Sequence, residues 1–456
     1  MMQRLASAII LLFLGGFIFL MGMLASEQGW LDEPMRILLA KMQVQTDIRE
    51  PLDAHIHVET REEGHAFPGA LLIGSHYLVD PAIVLVNAAG EILHRWNVEK
   101  STATQAVLDL HPPLHKALED QFYGIDDAML MPDGSVIFSQ SLRELNNLRA
   151  QRIARIDKNS KLMWEIPGLF HHDMILAEDG LIYATGSEAR DTLPVVATQS
   201  DPKALYLGGV VHILTPEGEY RQTLHIEEAF ANSPYAHWLN TFRVDLGDIQ
   251  AVALRDEVKL YDPIHLNSVD YITAEQAALH DGLAEGDLLL SMRGPSMIAI
   301  LRPSENRILW AARGPWRHQH YVRMQADGSI LIYDNEGDSR FDLRDSQSIR
   351  LDIQPRVIRY DMASGQSSVA IRTPEDVDMA SYWRGYYKEL ANGDWLMSSS
   401  NRGRVLQLDP SGNIVWQLAL GPLAQKGEVL YNQKLVSVRY VDAPDIPAAF
   451  LSADRP

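Results

Sequence analysis

The chain has 456 residues, of which 46% are hydrophobic and 22% are charged, a composition typical of a folded protein with an ample core. Its formal net charge of −20 excludes nucleic acid as a partner, because the overall field repels a polyanion. The absence of cysteine excludes disulfides, thiolate metal sites and thiol nucleophiles.

The N-terminus reads MMQR and continues as an uncharged apolar run from Leu5 to Ala25. As a helix this run is long enough to cross a bilayer, and Arg4 favours the cytoplasmic side. We therefore predict a transmembrane signal anchor over residues 1–26. It would hold a single-pass protein in the inner (cytoplasmic) membrane, with the rest of the chain on the periplasmic or extracellular side. The alternative is a cleaved signal peptide, for which GMLAS is a poor cleavage site.

The segment after the apolar run has a helical pattern that soon ends. WLDEPMRILLAKMQVQ, which begins at Trp30, has apolar residues at helical spacing. We predict a juxtamembrane linker with a short helix over residues 27–75.

The remaining chain is dominated by two kinds of hairpin that alternate, each with a Gly-containing or Asn-containing turn between apolar runs. The first kind reads DDAMLMPDGSVIFSQ (126–140), HDMILAEDGLIYATG (172–186), HYVRMQADGSILIYD (320–334) and YKELANGDWLMSSS (387–400). The second kind reads AIVLVNAAGEILHRW (82–96), RIARIDKNSKLMWEIPG (152–168), VVHILTPEGEYRQTL (210–224), RVIRYDMASGQSSVAI (356–371) and RVLQLDPSGNIVWQL (404–418).

Two hairpins make a four-stranded antiparallel unit, and repetition of such a unit is the signature of a β-propeller. Six blades are predicted, at residues 82–99, 126–168, 172–226, 265–313, 318–374 and 381–420. GEVLYNQKLVSVRYVD (427–442) is predicted to supply closing strands for the first blade. The prediction is an all-β, six-bladed propeller over residues 76–445 with a C-terminal tail over 446–456; the alternative is a β-sandwich.

The first strand of each blade lines the channel of a propeller, so polar residues at its start point to the axis. Asp126, His172 and His320 each lie seven residues before the aspartate of their turn. His171 and His318 are second choices, because strand alternation or loop placement turns them away from the axis.

The fourth and sixth blades add further polar groups at the same end of the channel. His265 and Asn267 begin the fourth blade, and Arg293 lies in its returning strand. Arg384, in YWRGYY, occupies the corresponding entrance of the sixth blade.

This constellation is compatible with two kinds of chemistry. Three imidazoles with an open position form a known type of catalytic metal site. The same imidazoles, with an amide and an arginine, also suit a tetrahedral oxyanion. The sequence shows neither the carboxylate pair of a glycosidase, nor a G-x-S-x-G nucleophile elbow, nor a Gly-rich phosphate loop.

Several of these motifs resemble the bacterial arylsulfotransferase (aryl-sulfate sulfotransferase) family over residues 80–420. The segments that carry the resemblance are FHHDMILAEDG, DPIHLNSVDYI, SMRGPSMIAIL, HQHYVRMQADGSILIYDN and SNRGRVLQLDPSGNIVWQ. The resemblance implies an exported propeller that moves a sulfuryl group from a phenolic sulfate ester to a phenol without a nucleotide sulfate donor.

By motif, the resemblance implies that His320 is the nucleophile and that His172, His265, Asn267 and Arg293 bind the sulfate group. His172 is the candidate proton donor. Asp126, Tyr321 and Arg384 are candidate substrate-binding residues, the tyrosine as an aromatic wall.

The expected partners are a small aryl sulfate, a phenolic acceptor and the membrane through the N-terminal helix, with no cofactor and no metal. Two other functions remain open. One is a non-catalytic propeller that binds a protein or glycan, and the other is a metal-dependent lyase or hydrolase that uses the same histidines.

Overall fold

The computed structural model of the chain describes residues 56–75, 82–99, 123–142, 150–194, 204–240, 259–336, 354–420 and 435–451, apart from positions 61, 63, 378, 380, 382, 383 and 401. The predicted anchor over residues 1–26 and the predicted short helix at Trp30 lie outside these ranges. None of the helices within them is long and apolar enough to span a bilayer.

Strands make up nearly all of the regular structure in the described ranges. The first group is β1 (Ile56–Thr60), β2 (Ala70–Ser75), β3 (Ala82–Asn87), β4 (Ile92–Asn97), β5 (Tyr123–Leu130), β6 (Val136–Leu142), β7 (Ala150–Ile156) and β8 (Leu162–Pro167). The second group is β9 (Leu169–Leu176), β10 (Ile182–Arg190), β11 (Ala204–Leu214), β12 (Tyr220–His225), β13 (Lys259–Tyr261), β14 (Leu266–Tyr271), β15 (Leu288–Met292), β16 (Met297–Arg302) and β17 (Arg307–Arg313). The third group is β18 (His320–Met324), β19 (Ile330–Asp334), β20 (Arg356–Tyr360), β21 (Ser367–Arg372), β22 (Tyr387–Glu389), β23 (Trp395–Ser399), β24 (Arg404–Leu408), β25 (Ile414–Leu420) and β26 (Leu435–Val441). The helices are α1 (Ile226–Ala231), α2 (Ala236–Asn240), α3 (Ala274–Ala277) and α4 (Ala448–Leu451), with 3-10 turns at Pro303–Glu305 and Ala443–Asp445.

The strands form six sheets that follow one another along the chain, and each sheet is one blade of a propeller. From the inner to the outer strand, blade one is β26-β2-β3-β4, blade two β5-β6-β7-β8, and blade three β9-β10-β11-β12 with β13 parallel to β11. Blade four is β14-β15-β16-β17, blade five β18-β19-β20-β21, and blade six β22-β23-β24-β25-β1. The prediction of an all-β, six-bladed propeller is confirmed.

The hairpins form because the turn sequences suit tight reversals of the chain. In blade two the N–H of Gly134 donates to the Met131 carbonyl (2.9 Å), and Gly134 has a φ of 82°, which glycine adopts without strain. The Asp133 carboxylate accepts from the N–H of Ser135 (3.0 Å) and closes the turn. The first predicted kind of hairpin supplies the two inner strands of a blade, and the second kind supplies the outer two.

A separate hydrophobic layer fills each of the six interfaces between neighbouring blades. Strand β2 shows how one strand serves two layers. Leu71 and Ile73 are buried against blade six, whereas Ala70 and Leu72 are buried against blade two. Because successive side chains of a strand point to opposite faces, every blade buries both faces and the six blades close into a ring.

Both ends of the described chain take part in closing the ring. The C-terminal β26 pairs with β2 inside blade one, with Ile73 opposite Val438, as predicted for residues 427–442. The N-terminal β1 pairs with the outer strand of blade six, with Ile56 opposite Leu420. The predicted boundary at residue 76 is therefore wrong, because β1 and β2 belong to the propeller.

The predicted boundary between the propeller and a C-terminal tail at residue 446 is also too early. Phe450, in α4, is buried and stacks on His94 with ring centroids 4.0 Å apart. It also packs edge-on against Trp96 of blade one, at 5.5 Å. This aromatic contact makes α4 part of the folded domain.

Candidate active site

A β-bulge interrupts the innermost strand of blades two, three, four and five at the same end of the channel. The extra residues are Asp126 in blade two, Asn267 in blade four and Tyr321 in blade five, and residues 171–173 in blade three contain the corresponding irregularity. A bulge bends its strand and redirects the side chains beside it. The four bulges therefore turn polar residues of separate blades towards one point.

The backbone around this point is strained. His172, His265, Tyr321 and Arg384 have positive φ values of 67°, 52°, 43° and 55°. A non-glycine residue in this region costs on the order of 1–3 kcal/mol, and such residues concentrate at functional sites. The packing of the surrounding blades holds these four residues in place.

His320 is buried, and its protonation state follows from its neighbours. Its Nδ1 lies 2.8 Å from the His318 carbonyl oxygen and 2.8 Å from Asn335 Oδ1. Both neighbours are acceptors, so Nδ1 carries the proton and donates. The other ring nitrogen, Nε2, has no hydrogen-bond partner among the described residues. It therefore keeps a free lone pair.

The electrostatic surroundings keep this imidazole neutral. Burial lowers the pKa of His320 to about 3, against the opposing effect of the hydrogen bond with Asn335. The positive charges of Arg293 and Arg384 lower the pKa further. The same two charges create a positive potential at the ring, which favours an anionic ligand.

Asn335 fixes the orientation of His320. Its Nδ2 donates to the carbonyls of Ser381 and Arg384, at 2.8 Å each, so its Oδ1 must face the imidazole. Sequence reasoning missed this residue. The signal was present, because Asn335 directly follows β19, the strand that pairs with the strand of His320.

We expect Asn335→Ala to lower kcat of any reaction that uses the His320 ring about 100-fold with little change in KM, because a misplaced reacting group slows the chemical step more than binding. Asn335→Asp should raise the pKa of His320 by placing a carboxylate beside it, and should add an acidic limb to the pH profile. Steady-state kinetics across a pH series measure both effects. The exposed Asn97→Ala is the matched control; an Asn335→Ala enzyme with the kinetics of this control would refute the positioning role.

His172 and His265 form a second pair beside His320. His265 Nδ1 donates to Asp262 Oδ2 at 2.7 Å, and its Nε2 lies 3.4 Å from His172 Nε2. The His172 ring stacks on the His320 ring with centroids 5.5 Å apart and an interplanar angle of 15°. The hydrogen bond to Asp262 leaves His265 Nε2 facing His172 Nε2, so one proton can lie between these two nitrogens. This arrangement suits proton transfer next to His320.

The second-choice histidines, His171 and His318, do not line the cavity described below, but both contact the histidines that the sequence favoured. His171 Nδ1 lies 2.9 Å from His172 Nδ1, and His171 Nε2 lies 2.9 Å from Ser187 Oγ. His318 contributes its carbonyl to His320. Both therefore support the preferred histidines from outside the cavity wall.

The remaining predicted residues surround this cluster in different ways. Asn267 donates from Nδ2 to the Gln319 carbonyl at 2.7 Å, which ties blade four to blade five next to His320. Arg293 follows β15; its N–H donates to the His265 carbonyl at 3.1 Å, and its charge acts on His320. Asp126 accepts from the N–H of His172 at 2.7 Å and forms an ion pair with Arg384. This ion pair joins blade two to blade six.

An open cavity lies at this point, with about 410 Å³ of empty space when the part open to solvent at its mouth is included. Among the predicted residues, the cavity is lined by His172, Asn267, His320, Tyr321 and Arg384, with Asp127, Asp173, Tyr386, Ser398, Ser400, Ser437, Val438 and Arg439 among the further lining residues. The structure thus brings five of the eight predicted residues into one cavity wall. His265 and Asp126 contact His172, and Arg293 acts on His320 through its charge.

An ionic network in the channel joins five blades. Arg323 of blade five makes a bidentate contact with Asp173 of blade three, at 2.9 Å for both bonds. Arg439 of blade one contacts both Asp127 of blade two and Asp173. Ser268 of blade four donates to Asp173 at 2.9 Å. Burial alone would raise the pKa of Asp173, but the charges of the two arginines outweigh it and hold the pKa below its usual range.

Sequence reasoning missed both arginines of this network. Their partners lie 150 and 266 residues away in the chain, so no local pattern indicated them. Arg323 also lies over the ring of Tyr321, 3.8 Å from its centroid. The network therefore fixes the tyrosine that lines the cavity.

The described residues contain no group of three or more His, Asp or Glu side chains arranged to hold a metal ion. The imidazoles of His172, His265 and His320 contact other side chains and a main-chain carbonyl. Their ring contacts include one another and His171, Asp262, Asn335 and the His318 carbonyl.

Fold and site together define a β-propeller with a histidine-lined axial cavity. A sequence profile of the family described as Arylsulfotransferase (ASST) matches residues 128–421, and the chain belongs to this family. The resemblance found in the motifs is confirmed. His172, His265, Asn267, Arg293, His320 and Arg384 all lie inside the matched range, whereas Asp126 and β26 lie outside it.

No curated protein matches the chain. Solved structures similar to it include a protein of unknown function from Bacteroides caccae, with 12% identity and a TM-score of 0.44 over 82% of this chain and 99% of that one. Another is the periplasmic gluconolactonase PpgL of Pseudomonas aeruginosa, with 14% identity and a TM-score of 0.40 over 82% and 99%. A streptogramin B lyase has 10% identity and a TM-score of 0.38 over 82% and 90%. Nothing about the activity of this chain follows from these three.

Proposed function

We propose that the chain is an aryl-sulfate sulfotransferase that carries a sulfuryl group on His320 Nε2. The donor is a phenolic sulfate ester, the acceptor is a phenolic hydroxyl, and no nucleotide sulfate is required. The observation that carries the proposal is the state of His320. Its Nδ1 proton is held by two oxygen acceptors, and its Nε2 lone pair has no partner among the described residues at the wall of the cavity.

In the first half-reaction, the Nε2 lone pair forms a bond to sulfur while the bond between sulfur and the phenolic oxygen breaks. The phenolate leaves with the electron pair of that bond and takes a proton from protonated His172. The Asp262–His265 pair stabilises the charge on His172 before this transfer. The product is a phenol, and the sulfuryl group remains on His320.

In the second half-reaction, the acceptor oxygen attacks sulfur and the bond between sulfur and Nε2 breaks. The electron pair returns to Nε2, and the acceptor proton moves to His172, which restores both groups. Arg293 and Arg384 oppose the negative charge of the sulfuryl oxygens during both steps, in the way that positioned cations stabilise a transferring phosphoryl group. Two steps on one nucleophile predict ping-pong kinetics.

The test is incubation of the protein with 4-nitrophenyl sulfate and phenol, followed by release of nitrophenolate and detection of phenyl sulfate by mass spectrometry. In the absence of acceptor, intact-protein mass spectrometry should show one added SO₃ group. Failure to turn over any of a panel of aryl sulfates would refute the proposal. So would turnover that yields inorganic sulfate and no phenyl sulfate.

We also propose that the protein is exported and anchored in the inner membrane by the apolar run from Leu5 to Ala25. The length of this run and the single charged residue before it support the proposal. Protease treatment of intact spheroplasts should digest the propeller if it lies outside. Digestion only after lysis would refute export.

We expect the first half-reaction to remain almost constant between about pH 8 and pH 5, because the pKa of His320 is lowered to about 3 and the ring stays neutral. For an imidazole with the ordinary pKa, the neutral fraction at pH 5 would be about thirtyfold lower than at pH 8. The measurement is a stopped-flow burst of nitrophenolate, a leaving group that needs little assistance from a proton donor. A fall with an apparent pKa near the ordinary value would contradict the prediction.

A further inference from the structure

The cavity has two walls of different chemistry. Blades three, four and five contribute His172, Asn267 and His320, the groups of the proposed transfer site. Blade six contributes Arg384 and two uncharged hydroxyls, those of Ser398 near the end of β23 and of Ser400 just beyond it. The proposed transfer chemistry gives no role to these two hydroxyls.

The local backbone explains why these serines reach the cavity. Arg384 and Gly385, which precede the innermost strand β22, have φ values of 55° and 122°, so the regular strand begins only at Tyr387 and is three residues long. Ser398 lies in β23 and Ser400 one residue beyond its end, about 7 Å apart along the chain, and both line the cavity.

Both serines are buried, with 2% and 4% of their surfaces exposed. Among the described residues their hydrogen bonds use only main-chain atoms. The N–H of Ser398 donates to the Tyr386 carbonyl at 2.9 Å, the Ser398 carbonyl accepts from the Tyr333 hydroxyl at 2.6 Å, and the Ser400 carbonyl accepts from the N–H of Gly403 at 3.4 Å. Neither Oγ is among the fully buried polar atoms that lack a hydrogen-bond partner; both serines instead line the open cavity, where a ligand hydroxyl can pair with them.

The neighbouring serines have structural partners instead. Ser399 Oγ accepts from the N–H of Arg402 at 3.3 Å, and Ser437 Oγ donates to Asp127 at 3.0 Å. Two tyrosine rings complete the surroundings: Tyr321 and Tyr386 line the cavity with centroids 4.7 Å apart. The blade-six wall therefore offers two hydroxyls near flat aromatic surfaces, which suits a ring that carries hydroxyl groups.

We infer that Ser398 and Ser400 form an acceptor subsite that selects a ring with a second hydroxyl beside the one that receives the sulfuryl group. The inference rests on the proposed function for the identity of the reaction. The serine hydroxyls form hydrogen bonds with the second hydroxyl of the acceptor ring. These bonds place the reacting hydroxyl of the same ring towards the sulfuryl group on His320. A site built to hydrogen-bond a hydroxyl rejects the analogue that lacks it.

The kinetic test compares acceptors that differ by one hydroxyl, with 4-nitrophenyl sulfate as donor. Phenol against 1,2-dihydroxybenzene probes aromatic rings, and cyclohexanol against 1,2-cyclohexanediol probes sugar-like rings. In one of the two pairs, we expect kcat/KM for the dihydroxy acceptor to be at least about tenfold higher than for its monohydroxy analogue. The pair that shows this preference identifies the kind of ring that the subsite selects. In Ser398→Ala/Ser400→Ala this preference should disappear, while the rate with the monohydroxy member changes less than about twofold.

Ser411→Ala, in the exposed turn between β24 and β25 of the same blade, is the matched control. If the double variant folds poorly by circular dichroism, Ser398→Cys and Ser400→Cys replace it. These variants keep the side-chain volume and weaken the hydrogen bond. An unchanged preference in the folded variants would overturn the inference, as would a wild-type enzyme that prefers the dihydroxy member of neither pair.

A binding measurement separates this inference from the proposed function. Calorimetric titration with 1,2-dihydroxybenzene, phenol, 1,2-cyclohexanediol and cyclohexanol requires no turnover. Tighter binding of the dihydroxy ring, lost in the double variant, supports the subsite even if no aryl sulfate reacts. Equal affinities within both pairs would overturn the subsite even if sulfuryl transfer is active.

Discussion

His320→Ala is expected to abolish sulfuryl transfer, with a loss in kcat on the order of 10⁶-fold, the scale seen when a catalytic nucleophile is removed from other enzymes. The reason is specific to the ring nitrogen. Nε2 of this cavity-lining ring is unprotonated, nucleophilic and without a hydrogen-bond partner in the described part of the chain. The measurements are nitrophenolate release and the mass of the protein after incubation with donor alone.

His237→Ala is the matched control for this experiment, because His237 is an exposed histidine of α2. The control should keep wild-type activity and should gain one SO₃ group with donor. A His320→Ala protein that is folded by circular dichroism and still transfers the group would show that another residue is the nucleophile. His172 and His265 would then be the first to test.

The second large effect is expected on stability. Asp173→Asn should lower the free energy of unfolding by about 3–5 kcal/mol, because it removes the shared counter-charge of Arg323 and Arg439 and leaves buried positive charge poorly compensated. Asp173 is 5% exposed, so water replaces little of the lost interaction. Urea denaturation followed by tryptophan fluorescence measures the change.

An exposed ion pair provides the comparison for Asp173→Asn. Glu305 contacts Arg307 at 2.7 Å, with 44% and 41% of the two side chains exposed. Glu305→Gln should cost less than about 1 kcal/mol. Similar losses in the two variants would mean that the channel network contributes no more than a surface pair.

The sequence was informative about the fold because the propeller repeats a local signal. Each hairpin needs only its own turn and apolar alternation, so the Asp-Gly turn before Ser135 and its counterparts indicated the blades directly. Position within the repeat then indicated His172 and His320. The ends of the domain were harder to predict. β1 pairs with β25 across more than 350 residues, and a five-residue strand has no distinctive pattern.

The site was only partly predictable for a related reason. Alternation along a strand assigns a side chain to one face, but the bulges at Asn267 and Tyr321 break that rule where the site lies. The roles of Asn335 and Asp262 depend on hydrogen bonds to a particular ring nitrogen. Such contacts follow from three-dimensional placement and cannot be read from residue spacing.

The placement of β26 has a consequence for biosynthesis. Ser437 and Arg439 reach the cavity on the last strand of the described chain, and that strand is also the inner strand of blade one. The C-terminal segment must therefore be synthesised before the ring of blades can close. Until then, the edge of β2 that pairs with β26 is free to pair with other chains. A nascent chain that stops before Leu435 would carry all three histidines and still lack an enclosed binding chamber.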